Sequence, residues 1–288
     1  MTAAALSHLT SSVSELRELS VRTRRLILET VHTAGAGHIG GPLSVTDILV
    51  NLYFNRLHID PDAPHAADRD RCILSKGHSS IALYTVLALR GYLRVEELAT
   101  FDAIDSRLQG HPDMTALPGL DMSTGSLGQG LSPGLGMALG ARLGDRDFRT
   151  WVILGDGEIQ EGQIWEAAFV AGRYRLNNLT AILDYNRLPQ FGWPDSSGFT
   201  RDIPIGDPGA KFAAFGWNIV ETDGHDHEAL TNAFDRAEQH TQGPTIVIAH
   251  TIKGKGVSFM ENDFNWHATP PNSDQLAMAV AELQGSLT

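Results

Sequence analysis

The chain has a single cysteine, Cys72, in 288 residues. One thiol excludes an internal disulfide framework and a cysteine-based zinc site. Basic residues are also scarce: 22 Lys and Arg stand against 34 Asp and Glu, a formal net charge of −12. With no cationic surplus to neutralise phosphates or anionic lipids, neither nucleic-acid nor membrane binding is expected. No apolar run reaches the length of a membrane span. The first residues, MTAAALSHLTSS, lack the charged start and apolar stretch of a signal peptide. Internal repeats, low-complexity tracts and interdomain linkers are missing too. The expectation is one soluble, intracellular domain spanning residues 1–288. Its 42% hydrophobic residues suffice for a sizeable core.

What the sequence does have is glycine and histidine. There are 29 glycines, clustered between Gly35 and Gly41, Gly125 and Gly136, Gly155 and Gly162, and Gly254 and Gly256. Several of the 12 histidines sit in or beside these clusters. Glycine lets backbone approach a ligand closely, and neutral imidazole moves protons near pH 7. Together they point to a small-molecule site.

Strand and helix periods alternate along the chain. Apolar residues at Leu16, Leu19, Leu26, Ile27 and Val31 predict a helix over Ser14 to Thr33. Ser44-Val45-Thr46-Asp47 reads as a capping box opening a second helix. Arg71 to Ser75 reads as a short buried strand, followed by a helix to Arg90. Residues Gly91 to Met122 read mostly as connection, with a short helix near Glu96. Further helices are expected over Gly128 to Leu143, Gln160 to Arg175, Glu228 to Gln239 and Ser273 to Gln284. Further strands are expected over Thr150 to Leu154, Thr180 to Leu183, Trp217 to Glu221 and Thr245 to Ala249. This alternation predicts an α/β fold, a parallel sheet with helices on both faces.

The strongest local signal is Trp151 to Glu158, in which an apolar strand delivers Asp156 between Gly155 and Gly157. Open parallel sheets bind ligands at that end. Asn186 follows the next strand, so adjacent strands would bring Asp156 and Asn186 to one edge. Oxygen ligands of this kind suit Mg²⁺ or Ca²⁺ better than zinc. The plainer alternative is a turn at Gly155-Asp156-Gly157 and a loop cap at Asn186.

Gly155-Asp156-Gly157 with Asn186 resembles the diphosphate-and-metal motif of thiamine diphosphate enzymes. Gly155 to Gly162 and Trp165 to Ala168 narrow the resemblance to transketolases. So do Ala36 to Gly41, Ser75 to His78, Gln109 to Pro112, Thr124 to Gly130, and Lys253 to Phe259 with Trp266-His267. These motifs run in family order from about residue 15 to about residue 270.

The resemblance implies a thiamine diphosphate-binding fold and transfer of a two-carbon ketol unit from a ketose to an aldose. Asp156 and Asn186 would hold Mg²⁺ (or Ca²⁺) through side chains, and Leu188 through its carbonyl. Gly155 and Gly157 would lie against the diphosphate, with His78 and His267 at the diphosphate end or the first substrate hydroxyls. Gly125 and Leu127 would meet the aminopyrimidine and thiazolium parts. Glu161 resembles the acid that links two cofactor sites across the family's dimer. His38 and His111 would face the donor ketose, so that His38, His78, His111 and His267 form the catalytic set. Lys253 and Lys255 are open between steering a phosphorylated sugar and lying in a solvated loop.

A full-length transketolase continues into a pyrimidine-binding and a C-terminal domain. Their absence after residue 288 implies the N-terminal subunit of a split enzyme. Its partner would be a C-terminal subunit in a heterotetramer with two of each, acting on sugar phosphates or related sugars. Departures from the family pattern are Asp184-Tyr185-Asn186, Ser126, Glu158 and the loop Pro189 to Pro194; they leave the cofactor reading intact and the sugar open. Alternatives are 1-deoxyxylulose-5-phosphate synthase, a 2-oxo acid dehydrogenase E1 α-chain, or a partner-binding scaffold without catalysis.

Overall fold

The computed structural model describes residues 10–190, 193–195, 198–200 and 205–286, with backbone alone for the short strands between 193 and 200. Helix α1, Val13–Ala34, starts with a capping box in which the Ser12 hydroxyl accepts from the Glu15 amide and the Glu15 carboxylate accepts from the Ser12 amide. It ends on Gly35, whose left-handed φ of 64° lets the chain turn away.

Helix α2, Gly40–Asn51, begins four residues before the expected Ser44. Pro42 sits in its first turn, where a missing N–H costs nothing. Ser44 therefore lies inside the helix, and its hydroxyl donates to Asp184 at 2.6 Å instead of capping. The helix runs on into one wider π turn, Leu52–Arg56.

The strands among the described residues are β1 (Arg71–Leu74), β2 (Thr150–Gly155), β3 (Leu179–Tyr185), β4 (Trp193–Asp195), β5 (Gly198–Thr200), β6 (Asn218–Asp223) and β7 (Thr245–His250). β1, β2, β3, β7 and β6 form, in that order, one wholly parallel sheet. β4 and β5 pair antiparallel as a separate two-stranded sheet that the hydrophobic pattern did not reveal. The remaining described helices are α3 (Ser80–Arg90), α4 (Leu131–Leu143), α5 (Gly162–Tyr174), α6 (Pro208–Ala214), α7 (His227–Gln239) and α8 (Ser273–Gly285). Helix α6 was also missed, although Asp207 caps it and Pro208 occupies its first position.

Side-chain alternation divides the strands between two cores. Trp151 and Ile153 of β2, Ile182 of β3 and Val247 of β7 point into the layer with α1, α2, α3 and α7. Val152 and Leu154, Ala181 and Leu183, and Ile246 and Ile248 point into the opposite layer with α4, α5 and Phe212 of α6. Both faces are thus covered, as the run of apolar strands predicts. Each fully buried Leu or Ile contributes about 1.5–3 kcal/mol relative to exposure. Among the described residues, no helix is long and apolar enough to cross a membrane.

Candidate active site

Because β2 and β3 pair with Gly155 opposite Asp184, the residues that follow each strand leave the sheet side by side. Asp156 is 4% exposed. Its Oδ1 accepts from the Gly157 amide at 2.7 Å and its Oδ2 from the Arg187 amide, which ties the two strand ends together. Burial, followed by the nearby charge of Asp184, pushes the Asp156 carboxyl up to about 6. A carboxylate in that position gains from a cation.

Buried Asn186 accepts from the Leu188 amide through Oδ1 at 3.0 Å. The Leu188 carbonyl accepts from Lys253 Nζ at 3.0 Å. Asp156, Asn186 and Leu188 line one cavity of about 240 Å³. Carboxylate, amide and backbone carbonyl form an all-oxygen donor set, which fits a hard divalent cation. One cation, the Lys253 ammonium, already rests on the carbonyl. No group of three or more His, Cys, Asp or Glu is arranged for a metal among the described residues.

Three of the four expected histidines line the same cavity: His38, His78 and His267. The His38 ring centroid lies 5.0 Å from His78, 5.1 Å from His267 and 6.2 Å from His111. Burial, then His111 and the two nearby lysines, pushes His38 down to about 4. Burial and Lys253 push His267 down to about 3, and His78 is lowered by burial and Lys76. These three rings are therefore neutral at pH 7. An ammonium can only donate, so His267 Nδ1, 2.9 Å from Lys253 Nζ, is an acceptor. His111 is exposed, beside His38 and outside the cavity lining.

Glu161 is also outside the lining, exposed at the N-cap of α5. Glu158, which the sequence marked only as unusual, is the buried acid. It accepts from the Gly128 amide at 2.9 Å, the Gly155 amide at 3.0 Å and the Ser75 hydroxyl. Gly125, Leu127, Gly155 and Gly157 line the cavity as expected. Glycine is required nearby at Gly77, where a Cβ would strike the Gly125 amide at 2.6 Å.

Sequence reading missed Lys76 and left Lys253 open. Both are 2% exposed and line the cavity. Lys76 Nζ pairs with Asp184 Oδ2 at 2.6 Å, and Asp184 also accepts from Ser44 and Thr251. This explains the acid in Asp184-Tyr185-Asn186: it holds an ammonium at the cavity wall. Burial brings Lys253 down to about 8. Lys255 stays outside, 3.5 Å from Glu261. A usable signal was rarity, since only Lys76, Lys211, Lys253 and Lys255 are lysines and two of these four face the cavity. Pro189 and Gln190 of the atypical loop line it too, while the side chains of residues 191–194 lie outside the described residues.

Residues 16–284 match the family model described as transketolase, thiamine diphosphate binding domain. The chain belongs to the transketolase family. Residues 16–284 form that family's thiamine diphosphate-binding domain, and the fold is that family's. It is 42% identical to the 6-deoxy-6-sulfo-D-fructose transketolase subunit of Clostridium sp. strain MSTE9, over 91% of this chain and 93% of that one. It is 40% identical to one subunit of the apulose-4-phosphate transketolase of Phocaeicola vulgatus, over 94% of each chain. Human transketolase is 36% identical over 94% of this chain but only 42% of its own length. The crystal structure of Campylobacter jejuni transketolase superposes with a TM-score of 0.85 at 31% identity, and the chain spans 43% of that protein.

Proposed function

We propose that this chain, with a partner subunit, transfers a two-carbon ketol unit from a phosphorylated or sulfonated ketose to an aldose. The observation that carries this reading is the convergence of three neutral imidazoles on a cavity that ends at Asp156, Asn186 and Leu188.

The donor set fits the implied ion, so Asp156, Asn186 and the Leu188 carbonyl would hold Mg²⁺. Gly157 is open to the diphosphate: a Cβ there would meet only Pro189, at 3.6 Å. Lys76 and Lys253 place two ammonium groups where a polyanion would lie. When bound, thiamine diphosphate supplies the nucleophilic carbon and accepts the electrons of the breaking carbon–carbon bond. The protein's share is to orient and to move protons. His38, His78 and His267 are neutral and can take a proton from a sugar hydroxyl, and burial strengthens their hydrogen bonds. Exposed His111 stands beside His38 for the distal part of the donor.

Glu161, on the outer surface at the start of α5, is suited to contact across a subunit interface. In the assembly we propose, this chain is one diphosphate-binding domain in a heterotetramer with two of each subunit. The partner carries the pyrimidine-binding and C-terminal domains, and the complex is cytoplasmic. The match of subunit-named relatives over 93% and 94% of their length, against 42% of human transketolase, supports a divided enzyme.

The test is ketol transfer with thiamine diphosphate and Mg²⁺, using the chain alone and mixed with its co-purified partner. Donors are xylulose 5-phosphate, 6-deoxy-6-sulfofructose and apulose 4-phosphate. Turnover only in the mixture is expected. Turnover by the chain alone overturns the divided site. Cofactor binding with pyruvate decarboxylation in place of ketol transfer favours the synthase or dehydrogenase alternative.

A further inference from the structure

Lys253 is held at the cavity by a segment that follows the end of β7, beyond the reach of the strand ladder. Its neighbours are anchored one by one. The Thr251 amide donates to the Tyr185 carbonyl at 3.2 Å, and the Gly254 amide to the Gly40 carbonyl at 3.0 Å. The Ile252 amide donates to a side chain, His225 Nε2, at 2.8 Å. A backbone amide can only donate, so Nε2 is unprotonated and a neutral ring carries its proton on Nδ1. That Nδ1 lies 2.7 Å from Asp47 Oδ2.

Asp47 is itself immobilised. It is 4% exposed and takes two bonds from Arg24, at 3.0 and 2.6 Å, while Arg24 also donates to the Leu43 carbonyl at 3.2 Å. Asp47 belongs to α2, the helix whose first turn contributes Gly41 to the cavity. His225 lines, with Arg24 and Asp47, a second cavity of about 550 Å³ and does not line the first.

We infer that His225 is a positioning residue for Lys253. It fixes the amide of the residue before that lysine to α2, so that the ammonium stays between the Leu188 carbonyl and His267. The inference rests on Lys253 facing the diphosphate, as proposed above.

Two substitutions separate the two bonds of the ring. In His225→Asn the amide ends at the level of Nδ1, which keeps donation to Asp47 and cannot reach Ile252. In His225→Gln the side-chain oxygen extends to the level of Nε2 and can accept from Ile252. Amide hydrogen exchange of Ile252 is measured on the full chain, and thiamine diphosphate affinity is measured with Mg²⁺ in the assembled enzyme. His225→Asn is expected to speed Ile252 exchange and weaken cofactor binding about tenfold, the worth of one well-placed hydrogen bond. His225→Gln is expected to restore both to within about threefold. In a Lys253→Met background, His225→Asn is expected to weaken binding no further.

Wild-type exchange and affinity in His225→Asn would overturn the inference, because the ring would then serve only Asp47. Fully additive losses with Lys253→Met would overturn it as well. If the unsubstituted complex binds no thiamine diphosphate, the functional reading fails. The exchange rates of the Asn and Gln variants still decide whether His225 holds the segment.

Discussion

The wall of the cavity made by Asp156, Asn186 and Leu188 is set by strand register, whereas the wall made by Lys253 and His267 is set by individual backbone and side-chain hydrogen bonds between separate segments. In the first wall, each residue lies within a few positions of a strand paired with its neighbour from end to end. In the second, Lys253 depends on His225, Leu188 and His267, and His267 depends on Lys253 and on the Ile39 amide that its carbonyl accepts. Register is dictated by a whole core, so the first wall should tolerate losses nearby. The second rests on a few bonds of about 1 kcal/mol each.

The comparison can be broken at its firmest point. Asp156→Ala removes the one carboxylate of the donor set and should weaken thiamine diphosphate binding by more than about 100-fold, beyond what loss of a supporting residue costs. Calorimetric titration with Mg²⁺ present measures it, and wild-type affinity would refute the metal assignment. On the other wall, Lys253→Met should cost about 10- to 100-fold, the worth of a charge-assisted bond to an anion. A loss equal to that of Asp156→Ala would erase the contrast between the walls.

His111→Ala lies outside both walls. It should slow ketol transfer by about tenfold, one hydrogen bond to substrate, and leave cofactor affinity unchanged. A matching loss of cofactor affinity would place His111 with the diphosphate groups. The smallest effect concerns acid. Burial holds His38 at about 4, below the value near 6.5 that an unfolded histidine has. The unfolded chain therefore takes up protons first. The stability tied to this ring is present above pH 6.5 and is lost as the pH falls toward 4. Thermal unfolding midpoints followed from about pH 7 to 4 should decline over that window, and His38→Gln should flatten part of the decline.

How much of this was legible in the sequence follows the same division. Continuous apolar runs made β2, β3 and β7 readable, and with them the Asp156 and Asn186 edge. Local pattern misled at Ser44, where a hydroxyl that resembles a cap is spent on Asp184 140 residues away. It left Lys253 open between steering a sugar and lying in a solvated loop, and only the fold shows the side chain buried against Leu188. Long-range pairing of that kind leaves no period along the chain. Glu158 and Glu161, three positions apart, could not be told apart by type. Only the fold turns one inward to three donors and the other outward. Resemblance supplied what spacing could not, namely which histidines among twelve belong together.

The sharing of β2 between two cores has a consequence for how the protein can change. Trp151 and Ile153 face one layer, and Val152 and Leu154 the other. Inserting or deleting one residue within Thr150–Gly155 would exchange every pair and carry Asp156 to the wrong side of the sheet. The strand is in effect a parity code: its length can vary only in steps of two. Lineages of this protein should therefore accumulate length differences in the connections and keep the parity of the count from Thr150 to Asp156.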